Sequence, residues 1–175
     1  RLLERALDRE PVADDLQVEI LHVQPRHVRF EIDRLVVLEN VQGWSPRKAR
    51  GWNNLGGVLA NGANGDAAMT HNALDAFAES IRLDPSLADT YINRAALLVK
   101  IGHHDEALSD ASTAIRLLPK SSGAYFTAGC AYLGKGDILS AEKYWLKAIS
   151  LSPDHSPTLN QLGNIRLMAN RVAEA

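Results

Sequence analysis

The chain has 175 residues, 46% hydrophobic and 23% charged, enough for an ordinary globular core. Lys and Arg total 19 against 21 Asp and Glu, and the densest basic run (Arg47, Lys48, Arg50) is short, which argues against a nucleic-acid partner. The single cysteine, Cys130, cannot form an internal disulfide and favours a reducing, cytoplasmic setting, and no apolar run approaches the roughly 20 residues of a membrane span.

Prolines set the frame for reading the chain. "IRLDP" ends at Pro85, "IRLLP" at Pro119 and "ISLSP" at Pro153, so the two intervals are both 34 residues. Residues 1–11 place Ala6 five residues before Pro11, the same gap as Ala114 to Pro119, and read as the tail of an upstream repeat. Residues 12–46 fit the period but not the composition, because Pro25 falls where a first helix should continue. Two readings stay open there: a degenerate helical pair, or a β-hairpin insertion built on "LQVEILHV" and "VRFEI".

From residue 47 the pattern is clearer. Residues 47–87 form a first block, with Trp52, Leu55 and Gly56 on one predicted helix and Ala73 and Phe77 on the next. Trp52 to Ala73 spans 21 residues, whereas Tyr91 to Ala107 and Tyr125 to Ala141 each span 16. The five extra residues are expected in a longer loop at "NGANGD" (61–66), since Asn-Gly pairs favour turns. Blocks 88–121 and 122–155 run in step. Tyr125, Ala128, Gly129 and Tyr132 share one helical face, "GKGD" interrupts it, and Ala141, Trp145 and Ala148 mark a second helix. Small residues predict close helix approach, with Gly129 or Ala95 expected opposite Ala141 or Ala107 and the aromatics filling the wider ends. Proline then stops each second helix. Residues 156–175 begin one more block, with Leu159, Leu162 and Gly163 in phase. Both ends therefore read as cuts through a repeat array, and the chain as part of a longer protein or larger assembly.

Several motifs suggest chemistry that their context does not support. "GCAYLGKGD" (129–137) has nearly the spacing of a phosphate-binding loop, but Gly136 follows Lys135 where a Ser or Thr should hold magnesium, and no strand precedes it. "GHHDEA" (102–107) offers adjacent histidines that cannot both face one metal from a regular helix, and Asp105 reads instead as a helix cap. Cys130 has no cationic neighbour in sequence, and Trp52 and Trp145 sit at core positions. No catalytic constellation, cofactor site or metal site is expected.

The pattern resembles the tetratricopeptide repeat: aromatic, two residues, Leu-Gly, two residues, Tyr, then Ala, Phe, Ala and Pro, read here as Trp52, Leu55, Gly56, Leu59, Ala73, Phe77 and Pro85. The resemblance implies an all-α fold, a right-handed superhelical solenoid of antiparallel helix pairs whose first helices line a concave face. Two residues after each block-opening residue stand Asn54, Asn93, Thr127 and Gln161, about 200° round the helix and so pointing away from the partner helix. These four are the candidate peptide-binding residues, forming a polar ladder for the backbone of an extended peptide. The implied function is a non-enzymatic scaffold or adaptor that holds a peptide or partner helix.

Two alternatives compete. One is the substrate-recruiting arm of a larger enzyme, since "TLNQLGNI" resembles the repeats of protein O-linked N-acetylglucosamine transferase. The other is a co-chaperone that clamps a chaperone's C-terminal carboxylates. At the five positions where that clamp is built, this chain has Asn53, Gly57, Asn93, Gly123 and Thr127, so only Asn93 matches and the cations are missing.

Overall fold

A computed structural model describes residues 46–173, with side chains for 48–167; the expectations for 1–11 and for 12–45 lie outside the described residues. Among the described residues seven helices follow one another: α1 (Pro46–Gly62), α2 (Ala67–Leu83), α3 (Ala88–Lys100), α4 (His104–Leu117), α5 (Ser122–Gly134), α6 (Ile138–Leu151) and α7 (Ser156–Ala173). No strand occurs among the described residues. The chain divides into two compact units at Pro85 and Ser86.

Local chemistry sets the helix ends. Each second helix stops on a residue before proline: Asp84, Leu118 and Ser152 have φ of -144°, -135° and -143°, with ψ near 80–95°. Proline forces this extended geometry on its predecessor and so breaks the helix. The α3–α4 and α5–α6 turns are also alike. The N–H of Gly102 donates to Val99 and that of His103 to Leu98, while Gly136 donates to Leu133 and Asp137 to Tyr132. This closure needs a left-handed residue after the helix, and Gly102 (φ +84°) and Gly136 (φ +80°) supply it.

The first unit contains the α1/α2 hairpin. Its helices run antiparallel: the Ser80 hydroxyl near the end of α2 donates to the Ala49 carbonyl near the start of α1 at 2.7 Å. The five extra residues do not make the expected long loop. The connection is Ala63–Asp66, one residue longer than the three-residue turns of the other pairs. Most of the surplus is helix, because α2 starts six residues before Ala73, whereas α4 and α6 start three before Ala107 and Ala141. Asp66 explains this: its carboxylate accepts from the N–H groups of Ala68 and Met69 at 2.8 and 3.1 Å, capping an earlier start.

In the second unit α3/α4 and α5/α6 form hairpins, α5 packs on both α3 and α4, and α7 packs on α6. The α6 core residues Ala141 and Trp145 meet Leu162 of α7, with Phe126, Cys130 and Leu133 of α5 against them.

One packing expectation is corrected. The space left by glycine is not matched by a small residue. A Cβ on Gly129 would lie 2.3 Å from Trp145 Nε1, and one on Gly56 2.6 Å from the Phe77 ring. Trp145 and Phe77 are thus fully buried against the glycines and not held at wider ends. A ring seated on bare backbone buries more apolar area than two facing methyl groups can. Trp145 also donates from Nε1 to the Phe126 carbonyl at 3.0 Å, which satisfies its polar atom.

Candidate functional site

The candidate surface lies on the first helices of the pairs, on the sides their partner helices do not cover. In α5 the residues facing α6 are Tyr125, Gly129 and Tyr132, which meet Tyr144 and Trp145. The sequence-predicted residues sit roughly opposite, and the structure treats them differently. Asn54 of α1 and Asn93 of α3 are exposed, and Gln161 of α7 is half-buried. Thr127 of α5 is only 5% exposed, and its hydroxyl donates to the Gly123 carbonyl one turn back at 3.0 Å. The side chain is short, and α5 is flanked by α3 as well as by α6. Asn54 belongs to the first unit, and the other three belong to the second.

Two motifs that looked unrelated in sequence meet in space. The His104 ring lies against the backbone of Gly134, so close that a Cβ there would fall 2.2 Å from Cε1. Beside it, Lys135 Nζ pairs with Asp105 Oδ1 at 2.5 Å. That hydrogen bond lowers the Asp105 carboxyl below its ordinary pKa and raises the Lys135 ammonium. Lys135 is therefore the cap of α5 and a partner of the preceding turn. Asp105 does not cap α4. His103 occupies that position without a side-chain bond, and Asp105 sits in the first turn, where its charge suits the helix dipole.

Among the described residues no group of three or more His, Cys, Asp or Glu is placed to hold a metal, and no helix is long and apolar enough to cross a membrane. The Cys130 thiol is pushed up to about 11 by burial, against a smaller lowering by Trp145, and stays protonated at neutral pH.

The sequence reading missed two features. Arg94 and Asp110 form a two-bond ion pair between α3 and α4, with Nε and an Nη each 2.7 Å from a carboxylate oxygen. The other is a half-buried apolar stripe beside the partner-facing residues: Ile92 and Val99 on α3, with exposed Ala96 between them, and Phe126, Cys130 and Leu133 on α5, which pack on the core of Ala141, Trp145 and Leu162. The spacing of 92, 96, 99 and of 126, 130, 133 was available as a helical period. It went unread because the stronger partner-facing period sits one residue away.

Comparisons with known proteins agree with this architecture. Residues 122–155 match the tetratricopeptide repeat family model. The chain is 34% identical over 97 residues to an Hsp70-Hsp90 organizing protein of Triticum aestivum, covering 53% of this chain and 17% of that protein. It is 32% identical over 97 residues to small glutamine-rich tetratricopeptide repeat-containing protein 2 of Mycosarcoma maydis, covering 53% of this chain and 28% of that one. The chain thus spans less than a third of these relatives. Among solved structures, the first tetratricopeptide domain of Spaghetti bound to an HSP90 peptide superposes with a TM-score of 0.64 at 20% identity, covering 73% of this chain and 97% of that one. The tetratricopeptide protein YrrB, described as having an unusual peptide-binding site, gives 0.58 at 24% identity over 66% of this chain and 57% of its own. The described helices thus have the fold of tetratricopeptide-repeat structures, and residues 122–155 match one such repeat in sequence.

Proposed function

We propose that this chain is a non-enzymatic protein-binding module, with a peptide or partner helix seated on the first-helix face of the second unit. The observation that carries the reading is the pair Asn93 and Gln161, which keep exposed or half-exposed amide side chains on α3 and α7. Amides offer both donor and acceptor, and so suit a peptide backbone whatever its side chains. Asn54 has the equivalent place on α1. Thr127, the fourth residue of the proposed ladder, contributes little, because its hydroxyl is turned to its own helix.

Names among the relatives and neighbours bring up the chaperone-tail reading, since one relative is an Hsp70-Hsp90 organizing protein and one structural neighbour holds an HSP90 peptide. The residues at the carboxylate-clamp positions weigh against it: Asn53, Gly57, Gly123 and Thr127 carry no cation.

The test is affinity capture with residues 1–175, identification of the retained protein, and titration of that protein against Asn93→Ala and Gln161→Ala. Each substitution removes about 0.5–1.5 kcal/mol, a loss of about 2- to 10-fold in affinity, with an unchanged helical spectrum. Unaltered binding by both variants overturns the assignment of these residues.

A further inference from the structure

We propose that Asn64 is a site of spontaneous modification, closed into a ring by the nitrogen of Gly65, and that its conversion to isoaspartate loosens the start of α2. The chain has two neighbouring Asn-Gly pairs, Asn61-Gly62 and Asn64-Gly65. The structure separates them. Asn61 and Gly62 are the last two residues of α1, where a helical N–H is turned back toward the carbonyl four residues earlier. A Cβ on Gly62 would also lie 3.1 Å from the Met69 side chain of α2. Asn64 and Gly65 lie in the α1–α2 connection, and both are exposed. Among the described residues Asn64 is the one residue other than glycine with a positive φ, 38°, and Gly65 follows at 93°. Nothing lies within 4 Å of a Cβ position on Gly65, and no acceptor among the described residues takes its N–H.

The chemistry needs only water and hydroxide. Hydroxide removes the Gly65 amide proton, and the nitrogen attacks Asn64 Cγ. An N–Cγ bond forms, the Cγ–Nδ2 bond breaks, and ammonia leaves with a proton from water, which restores the hydroxide. The product is a five-membered succinimide. Water then opens the ring. Cleavage of the new N–Cγ bond gives aspartate. Cleavage of the original peptide C–N bond gives isoaspartate, whose main chain runs through Cβ and Cγ and is one atom longer. That atom enters between Ala63, which is buried, and Asp66. The Asp66 N–H donates to the Ala63 carbonyl, and its carboxylate caps Ala68 and Met69. A longer main chain shifts Asp66 from both sets of partners, so α2 loses the cap that sets its early start.

The test is to age the 175-residue chain in mildly alkaline buffer, with and without urea, and to map its peptides by mass spectrometry in water labelled with oxygen-18. In native buffer conversion at Asn64 should outpace that at Asn61 by about fivefold or more, because Asn61 must first leave its helix. In urea the two rates should converge. Asn64→Gln, whose longer side chain closes a five-membered ring no more, should remove the reaction and keep the helical spectrum. The aged protein carries one more negative charge and separates by ion exchange. Its isoaspartate form should melt below the fresh protein, by a shift like that of Asp66→Ala. Absence of reaction at Asn64, equal native rates at Asn61 and Asn64, or a preference for Asn64 that persists in urea overturns the assignment of the site to the fold. An isoaspartate form that melts with the fresh protein overturns the link to the α2 cap.

Discussion

The α3/α4 and α5/α6 hairpins share helix lengths of 13 and 14 residues and the same glycine turn, yet their interiors differ. In α5/α6, Gly129 receives the Trp145 ring, and Tyr144 contacts Tyr125 and Tyr132 with centroids 6.2 and 5.1 Å away. In α3/α4 the corresponding positions are Ala95 and Ala111, both fully buried, and Asp110 replaces the tyrosine. Its partner is Arg94, whose guanidinium also lies 6.0 Å from the Tyr91 ring centre. One backbone register thus supports an aromatic interior in one pair and an ion pair in the next. The repeat fixes where the helices meet and leaves open what fills the space between them.

The largest expected effect comes from removing the aromatic filling. Trp145→Ala should cost about 3–5 kcal/mol in chemical denaturation, because the ring is fully buried and its loss leaves a cavity beside Gly129. Gly129→Ala should cost about 1–3 kcal/mol by forcing the indole off the helix. At the matching position of α3, Ala95→Gly should cost about 1 kcal/mol, mainly from helix propensity. Equal costs for the two glycine–alanine exchanges would erase the distinction between the pairs.

The ion pair provides the second test. Asp110→Ala leaves a half-buried guanidinium without its partner and should cost about 1–3 kcal/mol. The double variant Arg94→Leu with Asp110→Ala copies the residues at the matching positions of α1/α2, Leu55 and Ala76. It should return to within about 1 kcal/mol of the parent, since removing both charges also removes the desolvation cost. A double variant no better than Asp110→Ala would show that α3/α4 requires the charges.

The smallest effect concerns Asp105 and Lys135, which link the two turns. The Asp105 carboxyl is lowered by Lys135, so its stabilising contribution is present above the ordinary carboxylate pKa and is lost as pH falls through the depressed value. The Lys135 ammonium is raised, so its contribution is present below the ordinary lysine pKa and is lost as pH rises through the raised one. Thermal unfolding of Asp105→Asn should therefore show a slightly shallower acid limb and little change elsewhere. The pair is exposed, and salt should weaken what it contributes. An unchanged acid limb would leave the turns joined by His104 and Gly134 alone.

The sequence by itself determined the helices, their order and their ends. Capping carboxylates, glycines at left-handed positions and residues before proline act within a few residues, and the 34-residue spacing of Pro85, Pro119 and Pro153 repeats their effect. Asp66 shows the limit of that reading. The five extra residues were visible, but whether they became loop or helix turned on one side chain reaching two N–H groups. Tertiary structure alone decided which atoms fill the space beside Gly129, that Arg94 finds Asp110 across the hairpin, and that Thr127 is covered while Asn93 at the same repeat position is exposed. Helical periodicity gives the direction of a side chain from its own axis. How much of that direction a neighbouring helix covers depends on packing between chain segments far apart in sequence, which no local pattern encodes.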